Sequence, residues 1–129
     1  MGDILLVDDD LDYAESFSEI LILHGHAVRL ACNGEDGLRQ LNVRTPELIL
    51  LDVDMPVLGG PEMAWRMFLS DAGKEKVPIL FISANPYLQQ IAARVGTTYF
   101  LAKPFDLRVL LAALDRALAE RSAPSWPGR

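Results

Sequence analysis

The stretch Ile4-Leu5-Leu6-Val7-Asp8-Asp9-Asp10 sets four apolar residues directly against three carboxylates. An unbroken apolar run of this length, partly β-branched, reads as a strand covered on both faces, as in a parallel sheet. Comparable runs recur at 28–31, 48–51, 79–82 and 99–102. Those at 4–7, 48–51 and 79–82 are almost wholly apolar, which places them inside the sheet. Between the runs, apolar residues fall at helical spacing. Leu11, Ala14, Phe17, Ser18 and Leu21 form a stripe over about 11–24 that stops near Gly25. Leu107, Leu110, Leu111, Leu114 and Leu118 form the clearest stripe, with Asp106 as its N-cap. Asn33 is placed to cap a helix through Leu41, and Gly60-Pro61 to open one through Leu69. Pro86 is placed to open a helix over 87–95, which Gly96 ends. Five strands alternating with five helices predict right-handed βαβ crossovers and a three-layer α/β/α sandwich, (βα)5, with ligands at the carboxyl edge of the sheet.

The 129 residues make one domain with a core of its own. It is expected over 1–121, with 122–129 as a C-terminal tail or the start of a linker. Half the residues are apolar and 23% are charged, which excludes a disordered chain. The net charge of −6 argues against direct nucleic-acid binding by this domain. A single cysteine, Cys32, excludes an internal disulfide and a thiol zinc cluster, and is expected to be a small buried or half-buried residue. No apolar run approaches the roughly 18 residues of a membrane span. The N-terminus has no basic region or cleavage site, so the expected setting is cytoplasmic, away from any membrane. Charge is unevenly placed. Residues 1–28 carry seven acids (Asp3, Asp8, Asp9, Asp10, Asp12, Glu15 and Glu19) and no Lys or Arg. From Arg94 onward, Arg94, Lys103, Arg108, Arg116, Arg121 and Arg129 outnumber Asp106, Asp115 and Glu120. That pattern fits an acidic site in one place and a basic surface in another.

The strand ends carry the chemistry. The first ends at Asp8-Asp9-Asp10, the third at Asp52-Val53-Asp54, the fourth at Ser83 and the fifth at Lys103-Pro104. In the expected fold these lie on one edge. Carboxylates packed together repel, and a hard divalent cation removes the penalty. Magnesium suits the set, because it takes oxygen ligands and keeps places for water and phosphate oxygens. With a lysine and a hydroxyl it can neutralise phosphoryl oxygens, and an aspartate there can form an aspartyl phosphate. The residues alone point to phosphoryl transfer onto, or through, an aspartate.

These motifs, with Leu50-Leu51-Asp52-Val53-Asp54-Met55-Pro56, Ile82-Ser83-Ala84 and Lys103-Pro104-Phe105 in register, resemble the response-regulator receiver domain of two-component signalling. The likeness runs from Gly2 to about Arg121. It implies a flavodoxin-like five-stranded parallel sheet of order 2-1-3-4-5 and a regulatory role rather than an enzyme's. It makes Asp52 the phosphoacceptor. It gives Mg2+ to Asp9 directly, to Asp8 through water, to Asp52, and to the backbone carbonyl of Asp54. Ser83 and Lys103 would each hold a phosphoryl oxygen, and the Lys103-Pro104 bond would be cis. Phe100, the alternative to which is simple core packing, would be the aromatic switch residue, with Ser83 its trigger. The implied donor is a histidine kinase or a phosphotransfer protein, docking near residues 11–18 and the loop after Lys103. The implied output is the surface of the fourth helix, fifth strand and fifth helix, open to a partner or a homodimer. Ser83 stands for the commoner threonine, Phe100 for the commoner tyrosine, and Asp54, Asn85-Pro86 and Gly59-Gly60-Pro61 bear on phosphate lifetime and switching.

Two other functions compete. Asp52-Val53-Asp54 also resembles the Asp-x-Asp pair of haloacid-dehalogenase-type phosphatases, although their metal-binding acids come late in the chain and Asp8-Asp9 comes first. A receiver-like module that works without phosphate is the third. Asp10 and Asp12 are readable as plain helix caps, and His24 and His26 as stabilisers of a helix end. Met63, Trp65 and Met67 read as core or a partly exposed face, and Trp126 as part of a disordered tail, the alternative being a ring that docks on a partner.

Overall fold

A computed structural model describes residues 2–70 and 73–126. Met1, the last three residues of the expected tail and the Arg129 charge lie outside the described residues. Five strands, β1 (Asp3–Val7), β2 (Ala27–Ala31), β3 (Leu48–Leu51), β4 (Ile79–Ser83) and β5 (Tyr99–Ala102), alternate with five helices. The helices are α1 (Leu11–Leu23), α2 (Gly34–Val43), α3 (Gly60–Ser70), α4 (Leu88–Val95) and α5 (Leu107–Glu120). The sheet is parallel throughout, in the order β2-β1-β3-β4-β5. This is the flavodoxin-like arrangement expected from the sequence, with the three most apolar strands in the middle.

Strand alternation divides the core. Leu5, Val7, Ile49, Leu51, Ile79 and Phe81 face α2, α3 and α4. Ile4, Leu6, Leu48, Leu50, Leu80 and Ile82 face α1 and α5, against Phe17, Leu21, Leu110 and Leu114. A register slip would bring carboxylates into the core, so burial on both faces fixes where each strand ends. The caps match the sequence reading. The side chains of Asp10, Asn33 and Asp106 accept from the backbone N–H of Tyr13, Asp36 and Arg108. Gly96 ends α4 at φ +84°, a left-handed value that suits glycine.

Four details differ from the sequence reading. α4 opens at Leu88, not beside Pro86, because Asn85 and Pro86 form a turn in which the Asn85 side chain accepts from the Tyr87 N–H. A short 3-10 turn at Lys74–Lys76 has no apolar periodicity to announce it. Cys32 is exposed rather than half-buried, since β2 is an edge strand and Cys32 lies just past its end. The expectation of disorder at Trp126 is overturned: its ring packs against the stacked rings of Trp65 and Phe68.

Candidate functional site

Asp8, Asp52, Ser83 and Lys103 each sit one step past a strand or at its last residue, and the sheet's own ladder pins them there. The Asp8 N–H donates to Ala31 O, the Asp52 N–H to Val7 O and the Lys103 N–H to Ser83 O. Asp8, Asp52, Ser83 and Lys103, far apart in sequence, thereby share one edge.

Asp8 is 3% exposed, and both its oxygens have partners. One accepts from the Asp10 N–H at 2.9 Å, and the other faces Lys103 Nζ at 3.2 Å. Lys103 Nζ also lies 4.2 Å from the centre of the Tyr13 ring, a cation–π contact that holds the ammonium over the site. Tyr13 was not singled out by the sequence reading; its only signal was its place in the first turn after the acidic cluster. Burial first, then the charges of Asp8, Asp52 and Asp10, push its hydroxyl pKa up to about 12, so it stays protonated.

Asp52 is half-buried, and its carboxylate accepts from the Val53 N–H at 2.8 Å. Burial raises its pKa from 3.8 to about 6; Lys103 and the Val53 N–H pull it down, while Asp8 and Asp9 push it up. One carboxylate oxygen each from Asp8, Asp9 and Asp52 lies within 4.8 Å of the others. Asp9 is exposed and so open to solvent ligands. Three hard oxygen donors with one open side fit a magnesium ion, which prefers a few carboxylates and several waters.

The loop over residues 53–59 is held tightly. Leu58 N–H donates to Pro56 O at 2.8 Å, closing a γ-turn whose central residue, Val57, has φ +70°. A β-branched residue there is strained by roughly 1–3 kcal/mol, so the surroundings must hold it. They do so from two sides: Gly34 N–H donates to Leu58 O, and Gly60 N–H to Val53 O. A Cβ on Gly60 would lie 2.2 Å from the Asp52 carbonyl oxygen, so only glycine lets α3 start this close. Beyond the loop, Asp54 is exposed and accepts from Asn85 Nδ2 at 3.1 Å. Ser83 is 2% exposed, and its Oγ accepts from the Asn85 N–H at 3.0 Å. Phe100 is 40% exposed on edge strand β5, so it is not a core residue. The Lys103-Pro104 bond is cis.

A family model for the response regulator receiver domain matches residues 4–115. This chain belongs to the receiver domain family. It is 35% identical to the "Transcriptional regulatory protein CpxR homolog" of Haemophilus influenzae, over 97% of this chain and 54% of that protein. It is 37% identical to the "Response regulator MprA" of a Mycobacterium species, over 94% of this chain and 52% of that one. The receiver thus spans about half the length of the curated relatives it matches. Among solved structures, NtrX from Brucella abortus superposes with a TM-score of 0.82 at 29% identity, over 93% of this chain and 27% of that one. The signal receiver domain of a histidine kinase from Syntrophus aciditrophicus gives 0.82 at 27% identity, over 93% and 92%. Receivers are regulatory parts of two-component systems rather than turnover enzymes, so the phosphatase reading falls away.

The receiver's Asp8–Lys103 pair makes one prediction here. Lys103→Met should leave a buried carboxylate without its cation and lower stability by about 1–3 kcal/mol. Thermal melts of both proteins, without divalent ion and with millimolar Mg2+, check this. Because Mg2+ would compensate Asp8, the gap should shrink on adding it. A gap that Mg2+ leaves unchanged would place the loss in packing instead.

Proposed function

We propose that this receiver is a phosphorylation-dependent signalling switch that accepts a phosphoryl group on Asp52. The observation that carries the reading is the convergence of Asp8, Asp9 and Asp52 beside Lys103 and Ser83 on one strand edge. One Asp52 oxygen forms a bond to phosphorus as the P–N bond of a phosphohistidine breaks, and the departing imidazole takes up a proton. Attack of water on the same phosphorus later returns the carboxylate and inorganic phosphate. Asp8, Asp9, Asp52 and the backbone carbonyl of Asp54 are the groups to hold Mg2+, which when bound supplies neutralising charge to the phosphoryl oxygens. Lys103 adds its own charge, already positioned by Asp8 and Tyr13, and the Ser83 hydroxyl donates to another oxygen.

The donor is a histidine kinase or phosphotransfer protein. A cleft of about 470 Å3 beside Lys103, between α1 and the start of α5, gives it a place to dock; Phe17, Ile20 and Phe105 line it. Once Ser83 turns to the phosphoryl group, its hydrogen bond from the Asn85 N–H is lost and the loop before α4 moves. Phe100 follows inward, and the α4-β5-α5 surface changes for a partner or a homodimer. The receiver proper is residues 1–121, working in the cytoplasm; no described helix is long and apolar enough to cross a membrane.

The test is intact mass after incubation with acetyl phosphate, with and without Mg2+. A gain of one phosphoryl group that needs Mg2+ and is cleaved by hydroxylamine, as an acyl phosphate must be, is the expected result. Unchanged mass would sink the reading, and so would an adduct that resists hydroxylamine.

A further inference from the structure

The chain does not end its ordered course with α5. Arg121 adopts a left-handed conformation, φ +52°, and turns the backbone away from the helix. Ser122 N–H donates to the Tyr99 hydroxyl, and Ser125 N–H to Gly96 O at 2.9 Å. The segment thus passes around the β5 edge, from the α5 face of the sheet to the α3–α4 face. Gly96 admits it: a Cβ there would lie 1.8 Å from Ser125 O. Trp126 then packs edge-on against Trp65, with ring centres 4.9 Å apart and planes at 71°, and lies 6.0 Å from Phe68. The ring also borders an open cavity of about 250 Å3, whose other walls are Pro61 and Trp65 of α3 and Ile91, Arg94 and Val95 of α4, so it is seated between the two helices.

Both walls of that seat hang from the Asp52 site. α3 begins at Gly60, pressed onto the Asp52 carbonyl, and Pro61 is its second residue. α4 follows the turn whose Asn85 is tied to Ser83, Asp54 and the Tyr87 N–H. α4 has only eight residues and starts directly on that turn, its Leu88 N–H donating to Asn85 O, while Leu88, Ala92 and Val95 pack it onto the core. The strap is held by few bonds and one large apolar ring, which makes it a unit of low local stability.

We propose that residues 122–126 form a strap that reads the state of Asp52 through the α3–α4 seat and lets go when Asp52 carries a phosphoryl group. This rests on Asp52 being the phosphoacceptor. The seat fits Trp126 with Asn85 bridging Ser83 and Asp54. Drawing Ser83 toward the phosphoryl group dismantles that bridge, shifts α4 against α3 and spoils the fit. The modification then appears as a freed C-terminal segment, which also uncovers the parts of α4 and β5 that the strap crosses. By linkage, whatever the phosphoryl group does to the strap, the strap does to the site.

Trp65 and Trp126 are the chain's two tryptophans, so Trp65→Phe leaves Trp126 as the sole tryptophan, excited selectively over the three tyrosines at the red edge of the absorption band. Its emission and its quenching by acrylamide are read as the protein is phosphorylated with acetyl phosphate, while intact mass records the adduct. The expected result is a red shift and stronger quenching that grow with the adduct. In parallel, beryllium fluoride with Mg2+, a stand-in for the phosphoryl group, is titrated into the chain and into Trp126→Ala. Removing the ring should tighten its binding about five-fold or more. An adduct with unchanged or more protected Trp126 emission overturns the strap and leaves the phosphoacceptor reading standing. No adduct overturns both. A Trp126→Ala protein that melts lower yet binds beryllium fluoride with unchanged affinity reduces the strap to a plain brace and overturns the proposal.

Discussion

Asp52→Asn is expected to remove the acetyl phosphate adduct completely and, in the same protein, to raise thermal stability above pH 6. The first effect follows from losing the attacking oxygen's charge. The second follows from the environment of Asp52. Its pKa in the fold is about 6 against 3.8 ordinarily, so above pH 6 the folded protein holds a carboxylate that it would rather protonate. As pH falls from 6 toward 4, the folded chain takes up a proton that the unfolded chain does not, and this destabilisation fades. A tenfold difference in proton affinity between folded and unfolded chain is worth about 1.4 kcal/mol, and the partial exposure of Asp52 reduces the sum, so about 1–2 kcal/mol is expected. That is a rise of about 3–6 °C in the unfolding midpoint in metal-free buffer at pH 7.5. Calorimetry of both proteins from pH 4 to 8 checks it, with the gap closing near pH 4. A gap equally wide at pH 4 would assign the gain to packing rather than charge. Adding Mg2+ should narrow the gap at pH 7.5, because the ion relieves only the carboxylate.

Gly60→Ala is the second large effect. The added methyl would meet the Asp52 carbonyl oxygen at 2.2 Å and the Phe81 ring at 3.1 Å. Neither can yield cheaply. Asp52 is tied by its N–H to Val7, and Phe81 is fully buried in the core. α3 would have to lift, taking the Gly60 N–H away from Val53 O. A destabilisation of about 3 kcal/mol, near 10 °C in midpoint, is expected. Gly59→Ala is the graded companion, since its Cβ meets only Val53 O, at 3.0 Å. It should melt well above Gly60→Ala, and equal losses would show that loop flexibility, not contact, sets the requirement.

Why these glycines matter was not readable from the chain. Gly59-Gly60-Pro61 announces a joint and a helix start, but the close approach is made with Asp52, across a turn whose shape depends on Val57. Periodicity and caps, by contrast, are local. Apolar runs of four or five mark buried strands, and Asp106 or Asn33 before a stripe marks a helix start, so strands and most helix ends were legible. The convergence of the candidate residues was legible because a parallel sheet delivers its strand ends to one edge, and the sequence places acids, a serine and a lysine there. Tyr13 escaped notice because its role comes from Lys103, at the far end of the chain. Trp126 was misread because a single ring among prolines and serines carries no period. Its seat is built from residues of α3 and α4 that only the fold brings together. Asn85 and Pro86 misled on the start of α4, since a proline that opens a helix and one inside a turn look alike from sequence.

The pairing of Lys103 with Asp8 spans 95 residues and joins the last strand's end to the first's. During synthesis, β1 can gather β2 and then β3 soon after each emerges, because the sheet grows outward from β1. The acidic mouth at Asp8, Asp9 and Asp52 can therefore form on the ribosome before Lys103, the partner of Asp8, has been made. A nascent receiver halted short of residue 103 would carry a half-built, self-repelling edge and an open β4 flank ready to pair with strangers. The moment the final strand and α5 emerge is the moment the mouth gains its lysine and β4 gains its outer neighbour.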